Sequence, residues 1–193
     1  MSDSFTGEDW YGEELVDRVF TEATFSDVDL TEATTRGVVF DRCTFHNCRF
    51  NASTHVSTAF IAADFRRCSF FDATLEGCKL DGSVFSECVL RPLKVAGGSW
   101  RSVTLRGANL AGLDLSGLDL RDADLSMADL TGAVLRDARL DAATVREAVL
   151  VKADLRGASL GGVDLREARL EETLLDLPGA VHLAEVYGAV VDP

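Results

Sequence analysis

Ala123-Asp124-Leu125-Ser126-Met127 and, thirty residues on, Ala153-Asp154-Leu155-Arg156-Gly157 share one pattern: a small residue, Asp, Leu and two variable positions. Outward from them, every fifth residue is large and apolar. The column starts at Phe5, Trp10, Leu15, Phe20 and Phe25 and runs without a slip to Leu165, Leu170 and Leu175. From 20 to 175 it has 32 members, of which 30 are Leu, Phe, Val or Trp, the exceptions being Thr35 and His55. Of the 11 phenylalanines only Phe71 lies outside it. Two residues earlier runs a second column of mostly small residues, from Ala23 to Thr173, which holds all five cysteines: Cys43, Cys48, Cys68, Cys78 and Cys88.

A period of five fits neither the 3.6 of an α-helix nor the 2 of a strand. It fits a coil in which each unit forms one side and turns a corner. The large and small residues point to the axis, and successive coils pair their backbones at the ~4.8 Å spacing of neighbouring strands. Each coil then buries its edge against the next, as solenoids do.

These columns resemble the pentapeptide repeat family over roughly residues 3–175. The resemblance implies an all-β fold, a right-handed quadrilateral β-helix with four units or 20 residues per coil, here about nine coils and a rod of ~42 Å. The expected division is a β-helix over 1–176 and a capping and dimerisation helix over 177–193. Phenylalanine dominates the column from Phe20 to Phe85, and leucine takes over from Leu105 onward. Between them Arg91-Pro92-Leu93-Lys94-Val95-Ala96-Gly97-Gly98 is the weakest stretch, because Pro92 has no amide to give a ladder. Since the count of five survives it, a local bulge is expected there and no domain boundary.

After Leu175 the period stops, and Pro178 in a first turn predicts a short α-helix up to Gly188. Ala180, Leu183, Ala184 and Tyr187 share one face, with Val186 and Val190 close by. That is more apolar surface than a cap over the last coil needs, so these six residues are candidates for a homodimer seam.

The formal charge is −13, from 32 acidic and 19 basic residues. This balance disfavours direct binding of nucleic acid or anionic membrane and favours a basic protein surface. The charge is uneven. Residues 1–32 hold ten acids against Arg18, residues 171–193 hold five acids and no base, and the middle is close to neutral. The acidic start lacks the features of a secretion signal, and no run of 18 apolar residues is present. The odd cysteine count without CxxC spacing fits reduced thiols, so a cytoplasmic location is expected.

Within the family, Phe5-Thr6-Gly7-Glu8-Asp9-Trp10, Leu90-Arg91-Pro92-Leu93 and the Pro178–Gly188 segment resemble the fluoroquinolone-resistance pentapeptide proteins of the mycobacterial and Qnr types. That resemblance implies a dimeric rod imitating duplex DNA, which binds DNA gyrase or topoisomerase IV and counters fluoroquinolones or peptide toxins. The alternative is a non-enzymatic scaffold or adaptor that binds another protein through its faces. Net −13 over ~42 Å is about one charge per 3 Å, half the density of duplex DNA, so mimicry must be local. Glu171, Glu172 and Asp176 would gather near the centre of a doubled rod. Asp114, Asp119, Asp124 and Asp129 fill one slot of four successive units and ring a coil, where Asp also suits hydrogen bonding at corners. Arg101, Arg106, Arg121, Arg136, Arg146, Arg156 and Arg166 could pair with such acids at little gain in stability.

No catalytic, metal-ligand or cofactor pattern emerges. Cys48, Cys68 and Cys88 stack 20 residues apart, as inert core thiols. His46 and His182 lack partners at metal spacing, and His55 and Thr35 read as tolerated imperfections in the column.

Overall fold

A computed structural model describes residues 3–192. The chain winds as a parallel β-helix with 20 residues per coil. The register is carried from Ser4↔Thr24 to Asp154↔Leu174, and Phe5, Phe25, Phe45, Phe65 and Phe85 lie directly over one another on one face. Strands of three residues, such as Thr24–Ser26 and Thr44–His46, form the sides of the first half. In the second half each side shortens to a single bridge, as at Asp119↔Arg139. The two inward columns are buried nearly throughout. The division at Arg91–Gly98 is visible in the filling: aromatic stacks on one side, Leu and Ala on the other.

What turns the corners is a slot two residues after the large column. Its backbone lies in the left-handed region, with φ of 56° at Asp27, 47° at Ala62 and 77° at Gly157. A side chain branched at Cβ is costly there, and across this column the sequence places Gly, Asp, Glu, Asn, Ser, Ala, Arg, Lys or Met, never Val, Ile or Thr. Pro92 is the one residue in the column whose ring locks φ near −65°. There the expected bulge appears. Asp72 N donates to the carbonyl of Pro92, one residue beyond the pairing seen at Ala52 N to Phe71 O. Two long strands, Ala73–Lys79 and Leu93–Ser99, pair through it.

Thr35 and His55 are more than imperfections. His55 Nδ1 lies 2.7 Å from Thr35 Oγ1 and its Nε2 2.8 Å from Ser53 Oγ, and Thr35 Oγ1 lies 2.6 Å from Thr58 Oγ1, all buried. Ser53 Oγ gives its proton to Phe50 O at 2.7 Å. It can therefore only accept from His55, which fixes the Nε2–H tautomer. A satisfied polar chain thus replaces two rings of the column, since buried polar groups are tolerable only when paired.

The period ends in a turn of 3-10 helix at Leu165–Glu167 and an α-helix at Leu177–Val186. No helix is long and apolar enough to cross a membrane among the described residues.

Candidate functional site

Asp114, Asp119, Asp124 and Asp129 sit where five-residue spacing puts them, one on each of four faces of a coil. Each works locally. Asp114 accepts from Ser116 N and Oγ, Asp124 from Ser126 N, and Asp129 from Thr131 N and Oγ1. Asp119 is clasped by Arg121 through two bonds of 2.8 and 2.6 Å. These side-chain to backbone bonds, from residue i to i+2, brace the turns. The hydrogen bonds hold the carboxyls of Asp119 and Asp129 below their ordinary range. A ring also cannot face one flat partner: at most two neighbours of the four can meet the same surface.

Glu171, Glu172 and Asp176 lie in the last units before the helix, each with its own partners. Glu171 pairs with Arg169 at 2.9 Å and Glu172 with Lys152 at 3.9 Å, both exposed. Asp176 is the N-cap of the helix, accepting from Gly179 N at 3.0 Å and from Gly157 N at 2.8 Å. Those amides hold its carboxyl below the usual range. Its charge is directed into structure more than outward.

The least compensated negative surface is at the other end. Glu8, Asp9, Glu13, Glu14, Asp17 and Glu22 are exposed. Among the described residues their cationic neighbours are Arg36, 3.8 Å from Glu14, and Arg42, 2.7 Å from Glu22. Arg18 instead lies over the Phe20 ring. The charge count signalled this end, but residue type alone did not separate bracing acids from free ones. Of the arginines, Arg121, Arg136, Arg146, Arg156 and Arg166 have carboxylate partners. Arg101 and Arg106 have none within 4.0 Å among the described residues.

The C-terminal helix divides the apolar candidates in two. Leu183 is half-buried against the core, with Ala184 and Val186 also half-buried. His182 Nε2 meets Val163 O at 2.8 Å, which ties the helix to the last coils. Ala180, Tyr187 and Val190 face outward, the last two 69% and 96% exposed. Leu177 and Leu174, absent from the sequence reading, join them at 76% and 46%. Leu177, Ala180, Ala184 and Tyr187 follow helical spacing and form a single strip.

The surface has shallow grooves. One of about 610 Å³ is lined by His46, Asp64, Arg66, Arg67, Ser86 and Glu87, whose charges are spent in the pairs Arg66–Asp64 at 2.6 Å and Arg67–Glu87 at 3.0 Å. Among the described residues no group of three or more His, Cys, Asp or Glu could hold a metal ion. The cysteines are free, and Cys48, Cys68 and Cys88 direct Sγ at the carbonyls of Phe25, Phe45 and Phe65. Burial pushes the Cys78 thiol up to about 11, which suppresses the reactive thiolate.

The chain is 36% identical to the pentapeptide repeat protein MfpA of Mycobacterium tuberculosis over 81 residues, 42% of this chain and 44% of that one. The match thus spans less than half the length of that relative. Two solved structures of QnrB1, a plasmid-mediated fluoroquinolone resistance protein, share the fold. The full-length form superposes with a TM-score of 0.67 at 22% identity over 98% of this chain and 99% of that one. A trypsin-treated variant gives 0.61 at 23% over 100% and 99%. The family patterns for pentapeptide repeats match residues 19–54 and 133–171, and that for a pentapeptide repeat region matches 40–125. The columns, the 20-residue register and these matches agree: the chain belongs to the pentapeptide repeat family.

Proposed function

We propose that this protein is a non-enzymatic, cytoplasmic binding rod that presents carboxylates to a type II topoisomerase, DNA gyrase or topoisomerase IV, in place of duplex DNA. By occupying the DNA-binding surface it modulates the enzyme against fluoroquinolones or natural poisons. The observation that carries this reading is the exposed, weakly compensated acid cluster Glu8–Glu22 on a regular stacked rod. Support comes from the likeness to proteins named for fluoroquinolone resistance. A basic saddle built for phosphates is the partner such a surface selects, and the attraction is long-ranged and weakened by salt. Asp114, Asp119, Asp124, Asp129, Glu171, Glu172 and Asp176 remain candidate contacts, with the bracing acids contributing field more than direct bonds.

The strip Leu177, Ala180, Tyr187 and Val190 is proposed as the homodimer seam, backed by Leu183, Ala184 and Val186. Doubling the rod there places two Glu171–Glu172 pairs near its centre and an acidic end at each tip. Leu177→Glu with Tyr187→Glu alters only exposed side chains. It should leave the circular dichroism spectrum intact while sedimentation falls from twice 20.8 kDa to one chain; a surviving dimer would move the seam elsewhere.

The functional test is DNA supercoiling by purified gyrase with this protein titrated in, with and without a fluoroquinolone. Inhibition of supercoiling, or fewer drug-trapped cleavage complexes, is expected. No effect at concentrations on the order of micromolar, well above a typical specific complex, would favour an adaptor with another partner.

A further inference from the structure

The backbone ladder that joins successive coils is interrupted most widely at one place; a smaller break lies at the 3-10 turn, where the bridge between Thr144 and Asp164 is missing. In the regular array the amides of Ala52 and Gly112 donate to the next coil, to Phe71 O and Thr131 O, at 2.8 and 2.9 Å. Pro92 occupies the equivalent position and has no amide. The loss extends beyond that one bond. Among the described residues, the bonds that would join Glu87 to Arg106, Leu90 to Asn109, Cys88 to Asn109, Leu93 to Asp114 and Val95 to Asp114 are all absent. The bridges Val89↔Asn109 and Lys94↔Asp114 are missing too, although Ser69↔Val89 and Asn109↔Asp129 flank them. What remains lies along one edge: Trp100 N to Asp119 O, Ser102 N to Arg121 O, Phe85 N to Thr104 O and Thr104 N to Ser83 O, at 2.8 to 3.0 Å.

Leu93–Ser99 is drawn instead onto the preceding coil. Gly98, with φ of 116°, lies so close to Cys78 that any Cβ there would collide with its carbonyl oxygen. Beside the intact Phe85–Thr104 bond a cleft of about 180 Å³ opens between the coils, lined by Phe85, Glu87, Cys88, Leu90, Arg106 and Asn109. The side-chain bond from Arg91 Nη1 to Asn109 Oδ1, 3.1 Å, crosses the gap. Cys88 is the one cysteine that is not fully buried. Backbone groups freed from the ladder must turn to water, and this cleft admits it.

We infer that the rod is hinged here. An aromatic-cored block ending near Gly98 and a leucine-cored block beginning near Arg106 open and close about the intact Trp100–Thr104 edge. In a stacked repeat, stability comes from coil-to-coil interfaces, so the interface with the fewest hydrogen bonds is where the array yields first. Bending at one seam lets a rod of two rigid blocks follow a curved partner, whatever that partner is; the hinge does not depend on the topoisomerase reading.

Amide exchange by NMR on the full chain tests it. The amides of Leu90 and Asn109 should exchange about 100-fold faster than those of Phe70 and Leu110, which are bonded to Val89 O and Asp129 O. Residual dipolar couplings should give the two blocks different alignment magnitudes. Pro92→Gly restores both an amide and access to positive φ, and should slow exchange at Asn109 about tenfold or more. Equal protection at all four amides in the parent, or a single alignment for both blocks, would overturn the hinge. Unchanged exchange in a folded Pro92→Gly would overturn the role given to Pro92.

Discussion

Phe45→Ala should destabilise the rod by about 4–5 kcal/mol, the largest single-residue loss expected among the repeats. Phe45 is fully buried. Its ring stacks on Phe25 and Phe65 with centroids 4.7 and 4.8 Å apart and planes within 10°, and it meets Phe40 and Phe50 edge-on at 5.4 and 5.5 Å. Removing it loses the transfer energy of a phenyl group and leaves a cavity between coils held at strand spacing, which cannot close up. Every ring contact it makes lies within its own or an adjoining coil, so the damage is to nearest-neighbour interfaces. The same change at Phe5, only half-buried on the outermost described coil, should cost much less, about 1–2 kcal/mol. Urea unfolding followed by circular dichroism measures both. Equal losses at the two positions would mean that the stack does not supply the stability of the aromatic half.

His55→Leu should change the acid sensitivity of the fold more than its stability at neutrality. Burial pushes the imidazole down to about 4. An unfolded chain takes up a proton near pH 6.5, whereas the folded one refuses it until about 4. Stability therefore falls as pH drops from about 6.5 to 4, by roughly 3 kcal/mol in all. Leucine removes that penalty. The hydroxyls left behind keep partners, Ser53 with Phe50 O and Thr35 with Thr58, so no orphan is created. At pH 7 the variant should lie within about 1 kcal/mol of the parent, and at pH 4.5 it should be more stable by about 2 kcal/mol. Parallel pH profiles for the two proteins would show that His55 is solvated or already charged in the fold.

The two inward columns carry the architecture in the sequence, because five-residue spacing leaves no other way to bury one large and one small residue per unit. The corner slot is equally visible in retrospect. Its avoidance of β-branched residues expresses a positive φ, and Pro92 violates it, although the missing amide alone is enough to predict the bulge. How far the ladder opens around Pro92 is not legible, since it depends on Gly98 settling against Cys78, a contact between residues 20 apart. The polar chain through His55 is hidden for a related reason. Thr35 and His55 can be placed one above the other, but Ser53 and Thr58 look like ordinary members of the small column. At the C-terminus helical spacing groups Leu183 with Tyr187, whereas the path of the chain after Asp176 turns one inward and the other outward. The acids are the hardest to read. Asp119 and Glu8 are both carboxylates, and what separates them is the partner: a folded-over arginine neutralises Asp119, whereas Glu8 accepts only from the uncharged Trp10 indole and keeps its charge uncompensated.

The proposed function requires this surface to compete with DNA. It is tested most directly by displacing a fluorescent DNA duplex from purified gyrase with this protein at two salt concentrations. Complete displacement is expected at low salt, weakening steeply as salt rises, with loss of displacement when Glu8, Glu13 and Asp17 are changed together to Gln, Gln and Asn. Gyrase binding without displacement of DNA, or displacement untouched by salt and by that triple change, would contradict it.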